Sequence, residues 1–154
     1  MIDVARSIGR ITYAPEHAAF VRDSFRRSMY DAALDTANYH TEMLNRDLRG
    51  RMGTTVVATP AGCPDVLIGW ASAIHNSLLF AYVPRMYRGA GIARQMLAWL
   101  FQYAGLHGKI KLVYWTAIAQ NASDAGFPIE HDWREFNRRE QLIRHVRREV
   151  EMHP

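Results

Sequence analysis

The stretch "YVPRMYRGAGIARQML", residues 82–97, constrains the fold of this chain more than any other. It overlaps the end of "SLLFAYV" (77–83), which is so apolar that it predicts a strand buried on both faces in the middle of a sheet. After the two glycines, apolar side chains recur from Ile92 through Met96 to Leu100, the spacing of an amphipathic helix. A strand, a glycine turn and a helix, followed by a further strand, predict a βαβ unit with parallel strands.

The segments before this unit predict two helices and an antiparallel hairpin. The helices are expected over residues 15–30, where Pro15 suits the first helical position, and over residues 35–49. The short β-branched run at 54–58 and the run at 66–74 are separated by a turn rich in proline and glycine. That combination predicts an antiparallel pair of strands.

The segments after the unit predict one more strand and a closing helix. The β-branched and aromatic run "KIKLVYWTAI" (109–118) is typical of a strand. Residues 121–132 have loop composition, and helical spacing after them indicates the closing helix. Because no linker or repeat divides the chain, we expect one α/β domain over residues 1–154.

Composition limits the classes of protein to which the chain can belong. No apolar run approaches the ~20 residues that span a bilayer, and the N-terminal segment lacks the apolar region of a secretory signal. A single cysteine, Cys63, excludes an internal disulfide framework and indicates a reducing, cytoplasmic location. The seven histidines show no ligand spacing, so no metal site is expected. The net charge of +4 suits an anionic partner, although the arginines near the C-terminus alternate with glutamates as on a solvated helix face.

The glycine turn has the chemistry of an anion site. The first turn of a helix exposes N–H groups without intrahelical partners, and the helix dipole adds positive charge there. Glycine permits close approach of the backbone and a positive φ, so several N–H groups can converge on a pyrophosphate. Arg85, Arg88 and Arg94 supply cationic side chains beside the turn. An ordinary helix start that contains two glycines is the alternative.

The pattern of the turn differs from two common phosphate motifs and resembles a third. No lysine follows Gly91 as a P-loop requires, and Arg94 stands where a Rossmann fingerprint needs glycine or alanine. The pattern R-x-x-G-x-A, from Arg88 to Ala93 after a strand that ends at Val83, resembles the acyl-CoA-binding motif of the GNAT superfamily of N-acyltransferases.

The resemblance extends over residues 11–117, because the order of predicted elements is that of GNAT domains. The segments "DSFRRSMYDA", "VLIGWASAI" and "LLFAYVPRMYRGAGIARQML" together are similar to a group of small phage-type GNAT proteins. The resemblance implies a GNAT-like mixed sheet with flanking helices, acetyl-CoA as the acyl donor and an amine as the acceptor.

The resemblance also implies which residues contact the cofactor. Tyr82 and Val83 would align the pantetheine and polarise the thioester carbonyl through a main-chain N–H, as an oxyanion hole does. Apart from the residues that the resemblance implies, Asn121 is a further candidate, since it could reach the cofactor from just beyond the strand at 109–118. The residues implied to hold the pyrophosphate are those of the glycine turn and the cation after it: Arg88, Gly89, Ala90, Gly91, Ile92, Ala93 and Arg94.

The C-terminal segment departs from the family pattern, in which a further helix and two strands follow and the helix often carries a tyrosine that protonates the leaving thiolate. After Trp115 the sequence shows no convincing strand, and no tyrosine follows Tyr114. We therefore expect a shortened or rearranged C-terminus that ends in a helix. The candidates for catalytic acid or base are Tyr114 and Thr116, on one face of the expected strand, and Ser28, in a region that borders the acceptor site of such domains. A packing or capping role is the alternative for Tyr114 and Ser28.

The leading interpretation is an N-acetyltransferase that acts on an amine of a protein, a small molecule or a nucleobase. A non-catalytic GNAT-like binding or assembly protein is an alternative, because the C-terminal segment departs from the family pattern. A Mom-like DNA base modification protein and a homodimer are further alternatives. A nucleic-acid partner is disfavoured because no alternation of aromatic and basic residues marks a binding groove.

Overall fold

The computed structural model describes residues 6–10, 15–31, 40–41, 43–44, 54–60, 63 and 65–152. Its strands are β1 (Arg6–Arg10), β2 (Thr54–Pro60), β3 (Gly69–Ile74), β4 (Ser77–Tyr82), β5 (Ile110–Leu112) and β6 (Ile129–His131). Its helices are α1 (Pro15–Asp31), α2 (Ile92–Tyr103), α3 (Ala117–Asp124) and α4 (Trp133–Met152). Residues 40, 41, 43 and 44 are helical as well, and the rest of the helix predicted over 35–49 lies outside the described residues.

The six described strands form one mixed sheet in sequence order. Strands β1 to β4 pair antiparallel, with Val56 opposite Ala71 between β2 and β3 and Trp70 opposite Tyr82 between β3 and β4. Strands β4, β5 and β6 pair parallel, so α2 and α3 form the crossover connections that parallel strands require. The predicted hairpin, the βαβ unit and the mixed sheet with flanking helices are confirmed.

One face of the sheet packs against α1 through an aromatic core. Phe25 of α1 contacts the rings of Phe80 and Tyr114 edge to face, with centroids 5.3 and 5.1 Å apart. Such contacts contribute about 0.5–1.5 kcal/mol each beyond the area they bury. The Nε1–H of Trp70 donates to the Ser24 hydroxyl at 2.7 Å, which satisfies the one polar side-chain atom of this fully buried indole.

The other face packs against α2, whose buried residues are Ile92, Met96 and Leu100 as the spacing predicted. Gly69 of β3 allows α2 to lie this close. A Cβ at Gly69 would come within 3.1 Å of the Met96 terminal methyl and within 3.2 Å of both the Ile92 side chain and the Tyr82 carbonyl oxygen. The start of α2 is therefore held beside the end of β4, which positions the glycine turn.

The strand predicted over 109–118 is wrong beyond Leu112. Thr116 accepts a hydrogen bond from the Ala119 amide at 3.3 Å and caps the start of α3, which ends the extended backbone. The loop predicted over 121–132 is wrong as well, because it contains the second half of α3 and the strand β6. A helix and a sixth strand therefore follow β5, and the closing helix α4 comes after them as predicted.

The closing helix begins at a side-chain cap that joins it to the sheet. Asp132 Oδ1 accepts a hydrogen bond from the Glu135 amide at 3.1 Å, and Asp132 Oδ2 accepts one from the Ser77 hydroxyl of β4. The alternation of arginines with glutamates suggested that the arginines of α4 lie on a solvated face. This is not true of all of them. Arg139 is 1% exposed, and its Nε donates a hydrogen bond to the Tyr114 hydroxyl.

Candidate active site

A cavity of about 1050 Å³ opens where β4 and β5 part. The two strands pair at Leu78 opposite Leu112, and the Val113 amide donates to the Leu78 carbonyl at 3.0 Å. Beyond that point, Tyr82 from β4 and Thr116 from the segment after β5 line the cavity. A cavity of this volume can enclose a ligand as large as a cofactor.

The glycine turn forms one wall of the cavity. Gly89 and Gly91 have φ of 87° and 76°, in the left-handed region that glycine adopts without strain. Gly91 is the N-cap of α2 and, as a glycine, has no side chain that could bond the first amides of the helix. Because the first turn holds no acidic residue, its amides and the helix dipole give this wall a positive potential. The arrangement suits a pyrophosphate group.

Eight of the ten residues predicted to contact the cofactor line the cavity. They are Tyr82, Val83, Arg88, Gly89, Gly91, Ile92, Ala93 and Arg94. Ala90 and Asn121 are not part of the lining. Ala90 is exposed in the turn, and Asn121 lies in α3, where its carbonyl accepts a hydrogen bond from the Ala125 amide.

Arg88 closes the connection between β4 and the glycine turn. Its Nε donates to the Val83 carbonyl at 2.8 Å, and its amide donates to the Arg85 carbonyl at 3.3 Å. The Arg88 amide therefore completes the short 3-10 helix Arg85–Tyr87 and does not belong to the row of amides at the start of α2. Arg88 thus fixes the shape of the turn from both its side chain and its backbone.

The three predicted catalytic residues, Ser28, Tyr114 and Thr116, also line the cavity. The Ser28 hydroxyl donates to the Ser24 carbonyl at 2.9 Å, one helical turn earlier in α1. The Thr116 hydroxyl caps α3. Tyr114 lies just after β5, so the expected alternation of Tyr114 and Thr116 along a strand is wrong, although both residues reach the cavity.

Tyr114 is the centre of a buried polar network. Its hydroxyl oxygen lies 2.5 Å from His40 Nδ1 and accepts a hydrogen bond from Arg139 Nε at 3.0 Å. On the other side of the imidazole, His40 Nε2 lies 3.1 Å from Glu140 Oε1. The His40, Tyr114 and Arg139 side chains are buried, whereas Glu140 keeps 15% of its side chain exposed. The network therefore connects the cavity wall with the protein surface.

The environment of His40 controls its charge. Burial holds the pKa of His40 below its ordinary value of 6.5, and the charge of Arg139 lowers this pKa further, although the hydrogen bond and charge of Glu140 raise it. His40 is therefore neutral near pH 7. Phe136 of α4 stacks on the imidazole with ring centroids 5.7 Å apart, and Tyr114 meets the ring edge to face. These contacts hold the ring in one orientation.

Sequence reasoning missed His40, Arg139 and Glu140. All three stand far from Tyr114 along the chain, and they belong to helical segments whose pattern is that of ordinary amphipathic helices. A buried histidine inside a helix gives no local signal that separates it from a surface residue. Part of the apolar wall was missed for a similar reason, since Phe127 lies in the segment that was expected to be a loop.

The comparison with protein families agrees with this geometry. The model described as "Acetyltransferase (GNAT) family" matches residues 18–128, which is more than half of the chain and includes the glycine turn. The chain belongs to this family. It is therefore an N-acetyltransferase, and acetyl-CoA is its acyl donor, as the resemblance of the turn implied. No curated protein matches the sequence.

Solved structures with the same fold include three acetyltransferases. A GCN5-related N-acetyltransferase from Rhodopseudomonas palustris has 20% identity and a TM-score of 0.57, with 82% of this chain and 83% of that chain covered. A predicted acetyltransferase from Clostridium acetobutylicum, solved with acetyl-CoA, has 19% identity and a TM-score of 0.56, with 84% and 94% covered. A ribosomal-protein-alanine N-acetyltransferase from Brucella melitensis has 17% identity and a TM-score of 0.54, with 84% and 94% covered. These likenesses show the GNAT fold.

Three features outside the cavity bear on the other sequence predictions. Within the described ranges, no three His, Cys, Asp or Glu side chains lie together as a metal ion would require. In the same part of the chain, no helix has both the length and the hydropathy for a bilayer crossing. Cys63 is exposed and carries a free thiol.

Proposed function

We propose that this N-acetyltransferase transfers the acetyl group to a primary amine, with acetyl-CoA held in the cavity between β4 and β5. The observation that carries the proposal is the composition of the cavity wall. It combines the left-handed glycines before α2, the end of β4 and the hydroxyl side chains of Ser28, Tyr114 and Thr116. Acetyl-CoA presents a pyrophosphate, an extended pantetheine arm and a reactive thioester, which match those three parts in chemistry.

The donor is held by backbone more than by side chains in this proposal. The amides from Gly89 through Ala93 bind the pyrophosphate, and Arg94 adds a charge-assisted contact. The pantetheine follows the end of β4, where a main-chain N–H of Tyr82 or Val83 polarises the thioester carbonyl. Arg88 contributes by fixing the turn, because its amide and its Nε already donate within the protein.

The acceptor nitrogen approaches the thioester beside the three hydroxyl residues. Acylation of an amine requires a neutral nitrogen, a polarised carbonyl and a group that takes up a proton. We assign the proton transfer to Tyr114, because its hydroxyl contacts two ionisable side chains. The hydroxyls of Ser28 and Thr116 bond to the backbone of their own helices, so they shape the acceptor side.

The sequence motifs support a narrower proposal for the whole chain. We propose a small phage-type member of the family that acts as a single domain over residues 1–154 in the cytoplasm. The free, exposed thiol of Cys63 supports a reducing compartment. The net charge of +4 favours an acidic acceptor over a polycation. A nucleobase acceptor and a homodimer are left as alternatives, since no contact in the described residues favours them.

The first prediction is amine-dependent release of free CoA from acetyl-CoA. The panel consists of an aliphatic monoamine, spermidine, a lysine-containing peptide, an acidic peptide with a free N-terminus and a DNA oligomer. The Cys63→Ser variant is used throughout, because the exposed Cys63 thiol would react with the reagent that detects CoA. We expect saturable release with at least one amine and an acetylated product by mass spectrometry. The proposal would be contradicted if no member of the panel gave either amine-dependent release of CoA or an acetylated product.

A further inference from the structure

The network around Tyr114 contains more ionisable groups than the packing of one tyrosine requires. His40 and Arg139 are buried, and each makes a direct contact with the phenol oxygen. Burial of such groups costs free energy unless they are paired and hydrogen-bonded. Here the hydrogen-bonded side chains form a row that begins at Tyr114 in the cavity wall and ends at the partly exposed Glu140.

The donors and acceptors of the network fit one arrangement of protons. Arg139 has only donors, so the Tyr114 oxygen accepts from Arg139 Nε–H. The Tyr114 hydroxyl can then donate to His40 Nδ1, provided that the imidazole carries its proton on Nε2. The His40 Nε2–H in turn donates to the carboxylate of Glu140. Neutral His40, which the burial of its ring favours by lowering its pKa, is the form that this arrangement needs.

We propose that Tyr114 and His40, with Glu140 orienting the imidazole, form a proton relay that takes the proton from the attacking amine and returns it to the leaving thiolate. The proposal rests on the acetyl transfer proposed above. Tyr114 is the residue that exchanges protons with the substrates, and His40 holds the proton during the reaction. Glu140 and Arg139 are positioning residues, since the carboxylate stabilises the imidazolium and the guanidinium stabilises the phenol oxygen.

The step balances in protons and electrons. The acceptor nitrogen attacks the thioester carbon, a C–N bond forms, and the carbonyl electron pair moves to oxygen. The excess proton on nitrogen passes to the Tyr114 oxygen while the phenolic proton passes to His40 Nδ1. The electron pair on oxygen then re-forms the carbonyl as the C–S bond breaks, the C–S pair stays on sulfur, and the proton returns from His40 through Tyr114 to the thiolate. The products are the N-acetyl amine and CoA thiol, and the relay ends as it began.

The test compares two relay variants with a matched control in the Cys63→Ser background. Tyr114→Phe removes the hydroxyl and keeps the ring, and Glu140→Gln removes the charge and keeps an oxygen that accepts from His40. Glu130→Gln is the control, because it makes the same chemical change on a half-exposed carboxylate that pairs with Lys109 at 3.6 Å. Turnover is measured as CoA release with the amine that the panel selects, or with water as nucleophile, since hydrolysis of the thioester needs the same proton removal.

We expect Tyr114→Phe to lower kcat by about 100-fold, the lower range for loss of one acid–base group, with the Kd for acetyl-CoA unchanged by calorimetry. Glu140→Gln should lower kcat by a smaller factor and move the limb of the kcat/KM profile that His40 governs to lower pH. The reason is that Glu140 raises the pKa of His40. Glu130→Gln should match the parent enzyme in rate and pH profile.

The outcomes separate failure of the relay from failure of the proposed function. If the parent enzyme turns over and either Tyr114→Phe or Glu140→Gln keeps the rate and the pH profile of the parent, the relay is overturned and the acetyl transfer is left intact. A parent enzyme that releases no CoA with either amine or water overturns both. If Tyr114→Phe does not fold, the pH profile of Glu140→Gln decides the matter, because a packing role would not move that limb.

Discussion

His40 is a buried titratable residue whose protonation the fold controls. It faces Glu140, Arg139 and Tyr114, and Phe136 stacks on its ring. Burial gives it a pKa below the ordinary value of 6.5 in the folded protein, whereas the unfolded chain leaves it near that value. Just below pH 6.5 the unfolded chain therefore binds a proton that the folded protein does not, so the fold loses stability as pH falls.

We predict that this loss is removed in His40→Asn. The asparagine amide can keep one hydrogen bond toward Tyr114 and does not titrate, so the free energy of unfolding should depend less on pH just below 6.5 than in the wild type. Urea unfolding across this range is the measurement. His75→Asn is the control, because His75 is exposed in a turn at φ 54°, a conformation that asparagine tolerates. Equal pH slopes in His40→Asn and the wild type would refute the assignment.

Single residues differ in how far the sequence reveals their roles. Gly89 and Gly91 could be predicted to form an anion site, because a helix start with flexible backbone is a local property of the chain. Tyr114 could be nominated from its type and its place near a strand end. Its contacts with His40 and Arg139 could not be predicted, since they depend on how separate helical segments pack against one another.

Asp132 joins two elements, because it caps α4 and accepts a hydrogen bond from Ser77 of β4. Burial raises the pKa of Asp132, but the hydrogen bonds from Ser77 and the Glu135 amide, together with the charges of Lys111 and His131, leave this pKa below its ordinary value of 3.8. The carboxylate therefore stabilises the fold above pH 3.8, and this stabilisation is lost as pH falls through the lowered pKa.

We predict that Asp132→Ala lowers the free energy of unfolding by about 0.5–2 kcal/mol, the usual cost of a lost helix cap. Asp132→Asn should cost less, because an amide oxygen can still accept from the Glu135 backbone. Urea denaturation of the two variants near pH 7 distinguishes the cap from the charge. If the alanine and asparagine variants are equally stable, the cap hydrogen bond does not contribute to the free energy of unfolding.

Elements with strong local periodicity were predicted correctly, and the short ones after β5 were not. The stripe of α2 and the apolar run of β4 are long enough to identify from spacing alone. Strands β5 and β6 have three residues each, too few to show alternation. The β-branched residues after Leu112 are typical of a strand, but Thr116 can also cap a helix. Tertiary packing favours the helix, which begins directly after Thr116.

The assembled sheet explains why the cavity itself could not be predicted. Its opening depends on two parallel strands that pair at Leu78 and Leu112 and then part. The segments around it are brought together by the crossover through α2, by the close approach of α2 to Gly69 and by the hydrogen bond from Arg139 of α4 to Tyr114. None of these distances follows from a pattern within one segment, although the order of the elements does.

Binding of the acetyl-CoA pyrophosphate by the glycine turn at the start of α2 can be tested by calorimetric titration of two Gly91 variants. Gly91→Asp and Gly91→Asn have side chains of the same size in the same left-handed backbone at φ 76°, so they differ only in charge. Gly105→Asp places an equal charge at φ 78° beyond the other end of α2 and serves as the control.

We predict that the wild type and Gly105→Asp bind acetyl-CoA with similar affinity, and that Gly91→Asn binds more weakly because its side chain hinders the close approach of the backbone. Gly91→Asp should lose about 100-fold or more, because its carboxylate would lie against the pyrophosphate and like charges in contact cost several kcal/mol. No binding by the wild type, or binding by Gly91→Asp as tight as by Gly91→Asn, would contradict the claim.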